Sequence, residues 1–333
     1  MAKLKIGVVG LGGIGNNHAR CYTANPHTEV FAVCDVIREK ADKAAQTYGA
    51  QVFYSVRQML NSGIHLDACS VTTAGVENGS DHHKPTMELL RARIPVLGEK
   101  PISNQISKAR QMVKVARDRR VPYGINLNHR FTPAAVRAKE WLAKGRLGDL
   151  NIINMTMWIN NPNESSPWFH IRALHPHSLD VMRYFAGEVD KVQAFFKKGK
   201  GRKIWSNVQV NLLFANGVIG HLTGSYDAGG SYGLETLELV GSEGRVIINE
   251  ACEKLSFYPR FSNQVESYDH LGGMQSFGDT FASRIGAWVD DLRKKTSPSK
   301  IDAKAADALR VQLIIESIIK SWETGKVINV PAK

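Results

Sequence analysis

Gly10-Leu11-Gly12-Gly13-Ile14-Gly15 stands between an apolar run, Leu4 to Val9, and a helix-like stretch from about Ile14 to Ala24. Glycines at this spacing have separate uses. Gly10 admits a tight turn, Gly12 lets a bulky anion reach the backbone, and Gly15 lets helix and strand pack closely. A helix that starts here, with Gly13 and Ile14 at its opening, offers free N–H groups and partial positive charge to a pyrophosphate. Asp35 ends the next apolar run. A carboxylate there accepts hydrogen bonds from both ribose hydroxyls and repels a 2′-phosphate. The pattern predicts a dinucleotide site that prefers NAD. Arg38 is placed to accommodate a phosphate, which keeps NADP as the alternative cofactor.

A second chemical group is Glu99-Lys100-Pro101, directly after the apolar run Pro95 to Gly98. The carboxyl end of a strand is the ligand edge of a parallel sheet. A lysine at that edge can hydrogen-bond a substrate hydroxyl and the nicotinamide ribose, and can stabilise a developing alkoxide. Glu99 is grouped with Lys100 in the cofactor set. Thr72 and Thr73 join it, since they follow the run Leu66 to Val71 at the same edge.

These groups need a scaffold, and the chain supplies one. Over residues 1–125 short apolar runs alternate with helical patterns: Leu4–Val9, Val30–Cys34, Leu66–Val71, Pro95–Gly98 and Pro122–Asn126 as strands, with helices near 14–24, 38–48, 85–93 and 107–119. That alternation predicts a doubly wound parallel sheet, an α/β Rossmann domain. Over residues 126–333 the pattern changes. A helix from Pro133 to Lys144 and another from His177 to Phe185 accompany strand-like runs at 152–159, 189–196, 207–214, 218–226, 236–240 and 245–248. Asn216-Gly217 is a hairpin turn signal. Two long helices close the chain, about Gln275 to Lys294 and Ala303 to Thr324, the second with Asp302 as N-cap and Gly325 as stop. The second domain is predicted to be α+β with a large, mainly antiparallel open sheet, and the last helices are candidates to pack back on the first domain.

Composition bounds the rest. A chain of 333 residues with 43% hydrophobic and 22% charged residues is an ordinary globular protein. No apolar run reaches the roughly 18 residues of a membrane span, and the N-terminus lacks signal-peptide character, so a cytoplasmic location is expected. The net charge of +12 is spread along the sequence. Its densest cluster, Lys197 to Lys203, reads as a solvated loop, and no nucleic-acid signature accompanies it. Cys21, Cys34, Cys69 and Cys252 form no C-x-x-C pair, and no Cys/His spacing suits a metal. Reduced thiols and no metal are expected.

Taken together, the glycine loop, the E-K-P motif and the sheet-rich second half resemble the glucose–fructose oxidoreductase/inositol dehydrogenase/rhizopine-catabolism (Gfo/Idh/MocA) family over essentially the whole chain. The resemblance implies that Lys100 assists hydride transfer. It places a cofactor-side histidine eighteen positions earlier, at His82, with the adjacent His83 as competitor. The stretch Asn126 to Phe131 resembles the family's segment before the second domain, which implies that His129 and Arg130 touch substrate or cofactor. A family histidine that opens a helix, followed by x-x-Asp, falls on His177 and Asp180. A histidine there suits a general base, its ordinary pKa of about 6.5 being matched to neutrality, and Asp180 orients or supports. Inositol-dehydrogenase-like members carry an aspartate four positions before this histidine. Here that position is Ala173, so cyclitol specificity does not follow, and His175 or Arg172 is the candidate to reshape the local network.

The family's substrate-pocket stretch corresponds to Trp158 to Glu164 and Pro167 to His170. Aromatic faces with amides suit sugar recognition, which singles out Asn160, Trp168 and His170, with Tyr232 in the glycine-rich segment 229–233. The expected function is hydride transfer between nicotinamide and a secondary hydroxyl of a sugar, glycoside or cyclitol. The partners expected are that small molecule and further copies of the chain, as a homodimer or homotetramer. An NADPH-dependent keto-sugar reductase and a non-catalytic dinucleotide sensor are the alternatives.

Overall fold

The computed structural model describes residues 2–332 apart from 75–81, 229–233, 252 and 277. Two compact units emerge, Met1–Leu127 with Phe281–Gln312, and Asn128–Thr280 with Leu313–Lys333.

In the first unit, strands β1 (Leu4–Val9), β2 (Thr28–Cys34), β3 (Gln51–Phe53), β4 (Ala68–Val71), β5 (Val96–Gly98) and β6 (Tyr123–Ile125) alternate with helices α1 (Gly13–Ala24), α2 (Arg38–Tyr48), α3 (Val56–Asn61), α4 (His83–Arg91) and α5 (Ile106–Arg119). The sheet order is β3-β2-β1-β4-β5-β6, and every pairing is parallel. This is the Rossmann order, whose ligand crevice lies beyond the carboxyl ends of β1 and β4, where the winding direction reverses. Parallel strands are covered on both faces and so read as continuous apolar runs; β4 has every residue buried. The core gathers Ile6, Val8, Tyr22, Val33 and Leu97 with Trp288 and Val289 from near the C-terminus. Burying a side chain of this size contributes about 1.5–3 kcal/mol. The elements β3 and α3 carry too few residues to show a period; α3 is set by Ser55, whose hydroxyl accepts from the Gln58 N–H at 3.1 Å.

The second unit opens with a 3-10 turn, Asn128–Phe131, and α6 (Pro133–Ala143). Thr132 caps α6 by accepting from the Ala135 N–H, and proline occupies its first turn. Then follow β7 (Leu150–Trp158), α7 (Phe169–Ala173), α8 (Pro176–Ala186), β8 (Val189–Lys197), β9 (Asn207–Phe214), β10 (Ile219–Ser225), β11 (Glu235–Gly241), β12 (Gly244–Asn249), β13 (Lys254–Pro259) and β14 (Glu266–Asp269). Helices α9 (Asp279–Arg293) and α10 (Ala305–Thr324) and strand β15 (Ile328–Asn329) end the chain. The strands form a nine-stranded sheet, β14-β13-β12-β11-β7-β10-β9-β8-β15. It is antiparallel except where β10 pairs with β7. Alternation is clean on β9: Val208, Val210, Leu212 and Phe214 are buried while their neighbours face outward. Helices α6 and α8 pack on this sheet, and Ser321 of α10 accepts from the Ala194 N–H of β8.

The expected N-cap at Asp302 does not form. Ala303 has φ +50°, so the chain turns there and α10 begins only at Ala305.

Candidate active site

The glycine loop shows its three uses in the backbone. Gly10 has φ +93°, and a Cβ there would lie 2.7 Å from the Thr73 nitrogen. A Cβ on Gly15 would lie 1.8 Å from the Gly10 carbonyl oxygen. Gly12 and Gly13 face open space, with no atom within 4 Å of an added Cβ. Gly12 also stands at the N-cap of α1 without a side-chain cap. The cradle therefore has unfilled room at a helix N-terminus, where a pyrophosphate fits. Thr72 ties β4 to this loop, its hydroxyl donating to the carbonyls of Gly10 (2.6 Å) and Val9 (3.0 Å). Thr73 beside it is partly exposed.

Asp35 braces the same loop. Its Oδ2 accepts from the Leu11 N–H at 2.6 Å and its Oδ1 from the Ile37 N–H at 2.8 Å. Ile14, Val36 and Ile37 around it are exposed, Val36 by 83%. Apolar groups left in water there suit an adenine or nicotinamide ring. Arg38 lies over the Tyr54 ring, 4.1 Å from its centroid, and Tyr54 donates to Asp42 at 2.8 Å. Of the two competing histidines, His82 is buried at the start of α4, whereas His83 is on the surface, 3.0 Å from Gln111 Oε1.

At the end of β5, Glu99 is buried and Lys100 partly so, and the Lys100–Pro101 peptide is cis. Glu99 is held by a network that spacing in the sequence did not reveal. His18 Nε2 lies 2.9 Å from Glu99 Oε1, and His18 Nδ1 lies 3.0 Å from Ser70 Oγ. Tyr22 OH is 2.9 Å from the same Ser70 oxygen. Asn126 Nδ2 donates to Glu99 Oε1 at 2.5 Å, and the Lys100 N–H donates to Oε2 at 3.2 Å. Burial alone would raise the Glu99 pKa, but the hydrogen bond and charge of His18, the Lys100 charge and the Asn126 donor bring it below the usual carboxylate range. Burial pulls the Lys100 ammonium the other way, below its ordinary value, and Glu99 offsets only part of that. A lysine with a lowered pKa beside a fixed carboxylate is a tuned group at the ligand edge.

In the second unit His177 lies on the first turn of α8, with Pro176 ahead of it and His175 at the N-cap. Its ring stacks on His129, centroids 4.3 Å apart and planes 13° from parallel. His129 Nδ1 lies 2.7 Å from Oε2 of Glu235, both side chains almost wholly buried. Arg130 and Asp180 form a buried two-point pair, Nε to Oδ2 at 2.7 Å and Nη2 to Oδ1. The Arg130 guanidinium also lies 5.3 Å from the Tyr184 ring centroid. Asp180 thus fixes Arg130.

His170 has no exposed surface. Its Nε2 lies 3.1 Å from His175 Nε2, and His175 Nδ1 is 3.1 Å from Ser178 Oγ. Burial lowers the His170 pKa to about 3 and holds His175 well below its ordinary value. Both rings are neutral, one donating and the other accepting. Gly224 on β10 makes room for them, since a Cβ there would lie 2.0 Å from His175 Nε2. Trp168 is partly buried in an aromatic cluster, stacked on Trp205 at 6.0 Å and edge-on to Phe196 at 5.3 Å. Asn160 is exposed. Arg172 pairs with Glu316 at 2.9 Å. Tyr232 lies outside the described residues.

The basic cluster 197–203 is only partly a solvated loop. Arg202 donates to Glu164 (2.8 Å), Asp227 (2.7 Å) and the Asn161 carbonyl (2.8 Å), pinning the segment after β7. Among the described residues, no group of His, Cys, Asp and Glu could hold a metal, and no helix is long and apolar enough to cross a membrane.

Comparison with known proteins adds the following. Residues 4–127 match the model described as oxidoreductase family, NAD-binding Rossmann fold. Residues 135–247 match the GFO/IDH/MocA C-terminal domain. Inositol 2-dehydrogenase of Rubrobacter xylanophilus is 25% identical over 97% of this chain and 92% of its own length. Levoglucosan dehydrogenase of Pseudarthrobacter phenanthrenivorans is 21% identical over 99% of each chain. A solved levoglucosan dehydrogenase in complex with NADH and L-sorbose superposes with a TM-score of 0.88 at 19% identity, covering 99% of this chain and 100% of its own.

Proposed function

The chain belongs to the GFO/IDH/MocA family of NAD-binding oxidoreductases, and from that premise we propose that it oxidises a secondary hydroxyl of a sugar, glycoside or cyclitol. When bound, NAD supplies the hydride acceptor. Gly10, Gly12, Gly13, Ile14, Gly15, Asp35, Thr72 and Thr73 are the residues that would hold it, with Arg38 and His82 nearby. The glycine loop supports this: it has open room at Gly12 and Gly13, and it is braced from the side by Asp35.

The observation that carries the chemistry is Lys100, a partly buried ammonium at the carboxyl end of β5 with its carboxylate neighbour fixed by His18 and Asn126. Lys100 donates a hydrogen bond to the substrate oxygen and steadies the alkoxide as the C–H bond breaks. His177 takes the hydroxyl proton on a ring nitrogen. We propose His129, Arg130, Asn160 and Tyr232 as substrate contacts. We propose Trp168, partly buried and stacked on Trp205, as a further substrate contact, and His170, expected to be another but without exposed surface, as a support of that segment through His175.

Substrates of the relatives, inositol and levoglucosan by their names, define the first compounds to try. A panel of inositols, anhydrosugars, monosaccharides and glycosides with NAD and NADP separately tests the proposal. Reduction of NAD by one or more of these is expected. Reduction of keto-sugars by NADPH with no polyol oxidation would replace it with the reductase, and cofactor binding with no turnover in either direction would replace it with a sensor.

We also propose a homodimer or homotetramer paired through the face of the nine-stranded sheet opposite α6 and α8. That face leaves Ile219 and Phe195 exposed by 53% and 57%, and Ile152, Leu213 and Val240 half-buried. Light scattering on the purified protein decides. A cytoplasmic location fits the thiols of Cys34 and Cys69, buried, unpaired and pushed up to about 12 by burial, which keeps them protonated and unreactive.

A further inference from the structure

The basic run 197–203 contains one side chain that water does not reach freely: Arg202 is 16% exposed. Its guanidinium joins its own segment to two others of the second unit. Nε donates to Glu164 Oε1 at 2.8 Å, Nη1 to Asp227 Oδ1 at 2.7 Å, and Nη2 to the Asn161 carbonyl at 2.8 Å. Both carboxylates have further donors. The Lys203 N–H donates to the same Glu164 oxygen at 3.1 Å, and Ser206 Oγ donates to Asp227 Oδ2 at 2.6 Å. Gly199 lets Asp227 approach, since a Cβ there would lie 2.1 Å from Asp227 Oδ2. The segment 159–168, between β7 and α7, is thereby fastened along its length. Its Asn161 N–H donates to the Tyr226 carbonyl at 3.0 Å, and its Pro167 carbonyl accepts from the Trp205 N–H at 3.0 Å. Asn160 and Trp168 are the chain neighbours of these two anchors.

Resting on the reading of Asn160 and Trp168 as substrate contacts, we propose that Arg202 is the positioning residue that fixes this wall of the pocket and so sets which sugars it accepts. A guanidinium carries its donors in a rigid planar fork. It can therefore hold two carboxylates and a carbonyl in set directions at once, and hydrogen bonds from a charged donor are the stronger kind. With both its N–H and its carbonyl engaged, Asn161 leaves Asn160 little freedom. At the other end, the Trp168 ring stacks on Trp205, three residues beyond Arg202, at 6.0 Å. A wall held this way presents one spacing of amide and ring. A sugar whose hydroxyls do not match it leaves polar groups unpaired, which is how a site of this kind discriminates. Arg202 acts through these neighbours and moves no proton.

Arg202→Lys keeps the charge but cannot span Glu164, Asp227 and Asn161 together. Two panel compounds serve, the best substrate and a poorer one. KM for the best should rise about tenfold, with kcat and NADH affinity within about threefold of wild type. The ratio of kcat/KM between the two compounds should fall by at least about threefold. That ratio does not depend on how much of the enzyme is folded, so a merely structural role leaves it unmoved. An unchanged KM and ratio, or a loss confined to kcat, would overturn the proposal. Hydrogen exchange over 159–168 gives a reading that needs no substrate. In Arg202→Lys, and in Glu164→Gln should the first variant fold poorly, the Asn161 amide should exchange at least about tenfold faster while β9 and β10 stay protected. Wild-type protection of that amide would also overturn the proposal. Wild-type KM in both Asn160→Ala and Trp168→Ala, or turnover of no panel compound by the unmodified enzyme, would instead overturn the reading on which it rests, and exchange alone would then decide on the clamp.

Discussion

Substituting alanine at Gly12 and at Gly15 should separate binding from stability within one loop. At Gly15 the new methyl would sit 1.8 Å from the Gly10 carbonyl oxygen and 2.8 Å from Thr72 Oγ1. Real Cβ atoms essentially never come closer than 3.0 Å to a neighbour, so the backbone must move by more than an ångström. The carbonyl it displaces accepts the Thr72 hydroxyl at 2.6 Å, a bond worth about 1 kcal/mol net. Overpacking adds about 1–3 kcal/mol. The expected loss is about 2–4 kcal/mol, or roughly 5–15 °C in Tm at about 2–4 °C per kcal/mol. At Gly12 a Cβ meets nothing within 4 Å, so Tm should hold to within about 0.5 kcal/mol. Yet that methyl occupies the space a pyrophosphate needs, and NADH affinity should fall at least about tenfold. Differential scanning fluorimetry and NADH fluorescence titration read the two effects separately. Wild-type NADH affinity in Gly12→Ala, or wild-type Tm in Gly15→Ala, would refute the division of labour.

Three further outcomes follow from the buried groups. Arg130→Met should cost about 3–5 kcal/mol by removing the two-point cationic partner of the buried Asp180 carboxylate, and thermal melts that match wild type would contradict this. The folded-state pKa of His170, about 3, lies below its unfolded value of 6.5, so the unfolded chain binds the extra proton. Stability should therefore be full above pH 6.5 and decline as pH falls from there toward 3, with His170→Gln flattening that limb; a wild-type Tm constant across the window would contradict it. Glu99 has a lowered pKa, so its stabilisation is present above the ordinary carboxylate value and is lost as pH falls through the folded one. Replacing its partner by His18→Leu should both lower Tm and reduce kcat, and unchanged kcat would detach the network from Lys100.

Legibility in the sequence divides along the range of the interactions. The glycine loop, Asp35 and the strands β1, β2 and β4 to β6 are set by residues a few positions apart, so apolar runs and turn residues announced them. The elements β3 and α3 are too short to carry a period, and β13 and β14 mix polar and apolar residues around exposed turns, as at Phe261 with 86% exposure. What no local pattern could announce is pairing across the chain. His129 meets Glu235 and His18 meets Glu99 only after strand order is fixed. Arg202 sat in a run of lysines that looks solvated until Glu164 and Asp227 arrive from other loops. His18 did leave one clue: it follows Gly15 by less than one helical turn, on the face of α1 that must pack against the sheet, where a histidine requires partners. His170 and Trp168 were singled out for ring chemistry suited to sugars. Of their neighbours, His175 was already a candidate for the local network, whereas Trp205 comes from a position the sequence leaves unconnected.

The central claim is that Lys100 and His177 make this chain a polyol-oxidising dehydrogenase. Its most direct test is the rate of NADH appearance, by absorbance, with a substrate from the panel for wild type, Lys100→Ala and His177→Ala, alongside NADH binding to each. The expected result is turnover in wild type, a loss of at least about a hundredfold in each variant, and cofactor affinity within about threefold of wild type in all three. Wild-type turnover in either variant would contradict the account.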